Sequence, residues 1–267
     1  MSAVIETYDL AKNYGQFGAL RGLNLSMPEG SVFALVGASG AGKTTTIKLL
    51  LNMIVPSRGH ATLLGVDSRL ISPSVLAGVG YVSESQALPG RLRVEQFFDY
   101  LRPCYPTWDR RLELQLRSQL RLPPGRRINE LSHGMRLKLA LACAMAYRPR
   151  LLVLDEPFSG LDALTRDEMI GEFLREPREM SILISSHELD EVERLATHVA
   201  FLDEGRLLFQ GTLPELREHA REVFSRTGHV RFGTPVIGSL QTGAAEGGHG
   251  SLRTIFVSMV SAARAAR

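Results

Sequence analysis

At 267 residues and 44% hydrophobic composition, the chain can bury a sizeable core and suits one catalytic core with an inserted subdomain and a short tail. No apolar stretch approaches the roughly 20 residues needed to cross a bilayer, and Met1-Ser2-Ala3-Val4-Ile5-Glu6 lacks a charged-then-apolar signal pattern, so a cytoplasmic chain is expected. A formal charge of +3 without a run of five Lys or Arg argues against a nucleic-acid partner, and Cys104 and Cys143 have neither metal-type spacing nor a disulfide framework and are expected to pack.

Residues 4–9 and 23–27 read as short strands of an antiparallel flank, with a turn at Pro28-Glu29-Gly30. Residues 31–36 form an apolar run expected to be a buried strand. It leads into Gly37-Ala38-Ser39-Gly40-Ala41-Gly42-Lys43-Thr44, a complete G-x-x-x-x-G-K-S/T phosphate loop. The glycines let backbone N–H groups curl around a β-phosphate without Cβ clashes. Lys43 can reach the β- and γ-oxygens, and the Thr44 hydroxyl can ligate Mg²⁺. A helix over 45–52, opening at Thr45, would aim its positive end at the phosphates. The segment therefore predicts nucleoside triphosphate binding.

Residues 61–64 and 80–83 return the chain to the core as strands. Residues 88–130 change character to a helical insertion: Val94, Phe97, Phe98 and Leu101 keep a helical period, and Leu112, Leu116 and Leu120 resume it after Pro103 and Pro106. Trp108, the only tryptophan, fits either packing or a partner contact. Leu131-Ser132-His133-Gly134-Met135 then precedes an Ala/Leu-rich helix over 136–147, and a Ser and a Gly at a helix start make an anion-binding end. In Leu151-Leu152-Val153-Leu154-Asp155-Glu156 a core strand presents two carboxylates. Asp155 is placed to hold Mg²⁺ through its water shell and Glu156 to polarise an attacking water, the division of labour of triphosphate hydrolysis. Residues 180–186 read as a further core strand ending at His187, and Asp203-Glu204-Gly205 marks a hairpin between strand-like residues 200–202 and 206–209. From residue 217 a tail remains, with a glycine-rich loop at 243–250. It closes on Leu252, Ile255, Phe256, Met259 and Val260 at helical spacing, expected to dock on the domain rather than on a membrane.

The phosphate loop, the Leu-Ser-x-Gly segment and the acidic strand, in that order, resemble the ATP-binding cassette (ABC) ATPases, whose signature is Leu-Ser-Gly-Gly-Gln. His133 and Met135 depart from the signature. Ser132 and Gly134, which in the family touch the γ-phosphate held by the opposite subunit, are kept. Ser159-Gly160-Leu161-Asp162 is similar to the family's dimer-contact loop. His187 is similar to its switch histidine, which implies a hydrogen bond to the γ-phosphate and a hand in positioning water. In Lys12-Asn13-Tyr14-Gly15, Tyr14 resembles the aromatic residue that stacks on adenine, with packing as the alternative. Glu84 stands where most members have a glutamine that contacts Mg²⁺ and water, and the nearest glutamine is Gln86. A carboxylate oxygen suits Mg²⁺ at least as well as an amide, so Thr44, Asp155 and Glu84 are the expected metal set.

The resemblance spans residues 4–215 and implies an α/β fold, a P-loop NTPase (RecA-like) core with an antiparallel β flank and an inserted α-helical subdomain. The core would take residues 1–87 and 136–216, the insertion 88–135, and a C-terminal extension 217–267. It also implies a subunit that binds and hydrolyses ATP with Mg²⁺ and dimerises on ATP with a second copy or a paralogue. Such a subunit powers export through a separate polytopic permease from the cytoplasmic face of the membrane. Tyr-Pro-Thr-Trp-Asp at 105–109 and the Leu-Ser-x-Gly-Met segment look most like bacterial exporters of drugs, antibiotics or lipidic compounds. The alternative is a soluble ATPase of the same type serving as a nucleotide-gated regulatory module, against which the intact Glu156 and His187 argue.

Overall fold

The computed structural model describes residues 2–84, 86–173, 180–227 and 251–265. The chain opens on one long antiparallel hairpin, β1 (Ala3–Tyr14) and β2 (Phe17–Pro28), which turns at Gly15 and Gln16. Sequence had suggested two shorter strands there. The reason is visible in the register: β1 and β2 are offset at several irregular steps, and Asp9 adopts a positive φ of 46°, so the period-2 alternation is broken mid-strand.

β3 (Val32–Val36) leads through the phosphate loop into α1 (Lys43–Leu50). This helix starts two residues before the expected position because Gly42, at φ 109°, takes the N-cap. β4 (Arg58–Leu63) and β5 (Val66–Asp67) extend the hairpin into a four-stranded antiparallel sheet of order β2-β1-β4-β5. The chain continues through α2 (Pro73–Leu76), β6 (Val79–Ser83), α3 (Val94–Leu101), α4 (Arg110–Gln119), α5 (His133–Met145) and β7 (Leu151–Asp155). It then forms α6 (Ala163–Phe173), β8 (Ser181–Ser186), α7 (Leu189–Leu195), β9 (His198–Asp203), β10 (Arg206–Thr212), α8 (Leu213–Thr227) and α9 (Leu252–Ala265). Among the described residues the second sheet has order β10-β9-β3-β8-β7-β6, parallel throughout except for the β9–β10 hairpin.

The central strands are buried on both faces, and β3 shows why its sequence is uniformly apolar. Phe33 and Leu35 pack into the cluster shared with the antiparallel sheet and α1, while Ala34 and Val36 pack into the cluster on the helical side. The helical side also takes Val94, Phe97 and Phe98 of α3 and most of α5. Trp108 resolves as a packing residue: it meets Phe98 edge-on at 6.3 Å and donates from Nε1 to Glu113 Oε2 at 2.9 Å. Burial raises the Glu113 carboxyl, but hydrogen bonds from Trp108 and Arg102 outweigh it and hold the group below its usual range. Cys143 is buried as expected, whereas Cys104 is exposed, on the short turn after α3.

One further boundary differs from expectation. α5 begins at His133 because Ser132 Oγ accepts from Met135 N at 3.3 Å and caps the helix before the Ala/Leu-rich run. The closing segment does dock on the domain: Leu252, Ile255 and Met259 of α9 are buried in the helical-side cluster. The glycine-rich loop at 243–250 lies outside the described residues. Among the described residues no helix is long and apolar enough to cross a membrane.

Candidate nucleotide site

The phosphate loop leaves the end of β3 and is held against two neighbours that leave no room for side chains. A Cβ on Gly37 would lie 2.5 Å from the Leu202 carbonyl oxygen, and one on Gly42 would lie 2.8 Å from the Ala19 carbonyl oxygen. Glycine is required at both, and at Gly42 the positive φ adds a second reason. No side chain caps α1, so its first-turn N–H groups are left for an anion. They border a cavity of about 490 Å³ lined by residues 39–45 on one side and by Tyr14, Phe17, Glu84, Glu156, Ser159 and His187 on the others.

Lys43 is 5% exposed, and its ammonium group has three partners: the Gly37 and Ala38 carbonyls at 2.6 and 3.1 Å and Glu156 Oε1 at 3.0 Å. The other oxygen of Glu156 lies 2.7 Å from His187 Nδ1. Glu156 therefore sits between a lysine and an imidazole at the cavity wall. Its backbone has φ 50°, a left-handed conformation that costs a residue with a Cβ about 1–2 kcal/mol. Its N–H donates to Ser185 Oγ at 2.9 Å and to the Ser185 carbonyl at 3.2 Å.

Ser185 links the two carboxylate positions. Its hydroxyl donates to Asp155 Oδ1 at 2.7 Å while accepting from Glu156, and the Thr44 hydroxyl reaches the same Asp155 oxygen at 3.1 Å. Thr44 and Asp155 are thus brought together as sequence suggested. Glu84 lines the cavity, but its Oε1 accepts from Ser159 Oγ at 2.8 Å rather than meeting Thr44 or Asp155. Its N–H donates to the Asp155 carbonyl at 3.0 Å, so the start of the loop is fixed to the acidic strand. Gln86 is exposed and lines a different, smaller cavity with Tyr81 and Tyr105. Among the described residues no three His, Cys, Asp or Glu side chains cluster as a metal cage. Hydroxyl and carboxylate oxygens beside a phosphate loop nevertheless fit Mg²⁺, which uses one or two carboxylates and takes its remaining ligands from phosphate and water.

Behind His187, Ser186 Oγ donates to Glu191 Oε2 at 3.0 Å, and Glu191 Oε1 faces Arg166 Nε at 3.2 Å. Burial pushes the Glu191 carboxyl above its usual range despite Ser186 and Arg166, which pull it down.

Ser132 and Gly134 do not line this cavity. Ser132 is exposed, and Gly134 is buried at a point where a Cβ would lie 2.7 Å from Thr165 Cγ2. Tyr14 is about half exposed, with Lys12 Nζ 5.2 Å from its ring centre, so it is not a core residue. Phe17, its partner across the hairpin turn, lines the same cavity and was not anticipated. Ser185 was missed as well, and Ser159, expected only as part of a dimer-contact loop, lines the cavity and holds Glu84. An N-G-type turn signal is absent at Gly15-Gln16, and a serine within a buried strand gives no sign of which carboxylate it will meet.

The family model described as ABC transporter matches residues 20–159. The chain is 32% identical over 217 residues to the ABC transporter ATP-binding protein YtrB of Bacillus subtilis (strain 168), across 80% of this chain and 74% of that protein. It is 31% identical over 229 residues to the bacitracin transport ATP-binding protein BcrA of Bacillus licheniformis, across 83% of this chain and 74% of that one. A solved structure of an ATP-binding subunit of an ABC transporter superposes with a TM-score of 0.77 at 25% identity, covering 96% of this chain and 99% of the other.

Proposed function

Because the chain belongs to the ABC transporter family, we propose that it is the ATP-hydrolysing subunit of an exporter and that it drives a separate polytopic permease from the cytoplasmic face of the membrane. The observation that carries this reading is the Glu156 carboxylate, shared between Lys43 and His187 at the wall of a cavity built on a phosphate loop. A pure binding module has no use for a carboxylate in that position, so turnover is favoured over a regulatory role.

Lys43 has three donors and three partners. Phosphate oxygens entering along residues 39–45 compete with Glu156 for the ammonium group, and two or more phosphate charges outbid one carboxylate. Oε1 of Glu156 is then released toward the water that attacks the γ-phosphorus, while Oε2 keeps its bond to His187. Glu156 accepts the hydrogen bond of that water, a contribution of about 10²–10⁴ in rate for a positioned base. His187, nearly half exposed and held through Nδ1, presents Nε2 to the γ-phosphate. Gly37, Ala38, Ser39, Gly40, Ala41, Gly42 and Thr45 supply backbone N–H groups and close approach, and Tyr14, with Phe17 beside it, stacks on the base. Bound at Thr44 and Asp155, Mg²⁺ would neutralise charge on the β- and γ-oxygens. Glu84 is a further oxygen donor for it once turned from Ser159.

Ser132 and Gly134 are proposed to act on the nucleotide of a second ATPase subunit, a copy or a paralogue, since Ser132, the N-cap of α5, is exposed and neither residue lines the cavity of its own chain. Closure of two subunits on two ATP molecules would move the insertion at 88–135 relative to the core at 1–87 and 136–216, and so move the permease. Nucleic acid has no part in this scheme. The exporter assignment rests on relatives such as the bacitracin transport protein.

The test is a pair of variants. Lys43→Ala should abolish tight ATP binding. Glu156→Gln should bind Mg-ATP, stop turning over, and accumulate as a species of about doubled mass in gel filtration. Wild-type turnover in Glu156→Gln removes Glu156 from the mechanism.

A further inference from the structure

No step of the proposed hydrolysis uses the segment after β10, yet its last helix bears on β9, the strand beside β3, and on the turn that follows β9. α9 buries Leu252, Ile255 and Met259, and Phe256 meets Phe201 edge-on with ring centres 5.1 Å apart. Phe201 is in register with Val36, the residue before the loop. Two positions later Asp203, 3% exposed, receives the Arg264 fork: Nη2 donates to Oδ1 at 2.8 Å and Nε to Oδ2 at 3.1 Å. Arg264 Nε also lies 4.0 Å from Glu204 Oε1.

Asp203 opens the Asp203-Glu204-Gly205 turn, and this turn touches the loop directly. The Gly205 N–H donates to the Ala41 carbonyl at 3.0 Å, and the Leu202 carbonyl occupies the space a Gly37 side chain would need. On its other side the Gly205 carbonyl accepts from Arg21 N–H at 2.8 Å, and a Cβ on Gly205 would lie 2.6 Å from the Ala19 carbonyl oxygen. The turn is wedged between β2 and the phosphate loop without slack. A shift of Asp203 is therefore transmitted to residues 37–41, and close-packed interiors pass on such displacements.

We infer that Arg264 is a positioning residue for nucleotide binding: through Asp203 and the turn it keeps the phosphate loop in its anion-binding shape, so α9 sets the ATP affinity of the site. The inference rests on the nucleotide reading of the cavity but not on dimerisation, Glu156 or the permease.

Calorimetric titration of the full chain with Mg-ATP, well below its melting temperature, tests this. Arg264→Gln should weaken binding about fivefold, the size expected for a half-exposed ion pair with one buried partner. Arg264→Lys, which keeps charge but not the fork, should lose less. Phe256→Ala, which loosens α9 on β9, should weaken binding in the same direction. Val257→Ser, on the exposed face of the helix, should bind as wild type. A helix that merely packs would change melting temperature and leave affinity alone. If Arg264→Gln and Phe256→Ala both bind within about twofold of wild type, the inference is overturned, whatever their melting temperatures. A wild-type chain that binds no Mg-ATP overturns the nucleotide reading and this inference together.

Discussion

Replacing Ser185 by alanine removes one hydroxyl and two hydrogen bonds from the floor of the site. Ser185 is wholly buried; its Oγ donates to Asp155 Oδ1 at 2.7 Å and accepts from Glu156 N–H at 2.9 Å. A buried hydrogen bond to a charged group contributes about 1.5–3 kcal/mol and a neutral one about 1 kcal/mol. Two compensations reduce the sum: Asp155 Oδ1 keeps Thr44, and the Glu156 N–H keeps the Ser185 carbonyl. A net loss of about 2 kcal/mol is expected, which for a domain of this size lowers the melting temperature by about 4–8 °C. The larger consequence falls on Glu156, whose left-handed backbone relies on that N–H anchor. Relaxation there moves the carboxylate away from Lys43 and His187, and a misplacement costing about 1.4 kcal/mol in the transition state slows turnover tenfold. Thermal melting and steady-state ATPase assays of Ser185→Ala read the two effects separately. A variant that melts within about 1 °C of wild type and keeps its turnover rate refutes the assignment of Ser185 as the link between the carboxylates.

Three further outcomes are expected. In an Mg²⁺ titration of ATPase activity, Glu84→Ala should need more metal and turn over slowly, while Gln86→Ala should leave the metal dependence unchanged; exchanged behaviours would shift the metal-linked position by two residues. Cysteines placed at Ser39 and Ser132 should crosslink between chains in ATP-trapped Glu156→Gln protein, and failure to do so counts against action in trans. Glu191 titrates above its unfolded value of 4.5, so its protonated form favours the fold: that contribution is full below pH 4.5 and is lost as pH rises through the folded value. The permanently neutral Glu191→Gln should accordingly melt above wild type at neutral pH, with the gap shrinking on acidification. A gap that is constant or of opposite sign removes burial as the dominant cause.

The parts of the site that lie within one contiguous segment were legible in the sequence. Gly37 to Thr44 and the acidic end of β7 carry their chemistry in their spacing, and the core strands carry theirs in unbroken apolar runs. What sequence did not disclose depends on the register between distant strands. Glu156 meets His187, and Ser185 meets Asp155, because β7 and β8 pair with Asp155 opposite Ser185. A shift of one residue in that pairing would place different side chains together. Phe17 stayed hidden because β1 and β2 are joined across Gly15 and Gln16 with an irregular register, and Glu84 is turned toward Ser159 by the loop that follows β7.

The strand order has a consequence for how the site comes into being as the chain is made. β3 carries the phosphate loop, but Val32 pairs with Ile182 and Phe33 with His198, so both of its neighbours emerge from the ribosome long after it. β7 likewise meets β3 only through the intervening β8. Such long-range pairings close late, since the entropy of a large loop must be overcome before the contacts form. A nascent chain ending before β8 holds every residue from Gly37 to Glu156 and still has no sheet to fix the loop opposite the acids. Nucleotide capture is thus a late event in synthesis, and ATP, by binding only the finished sheet, favours completion of the fold by mass action.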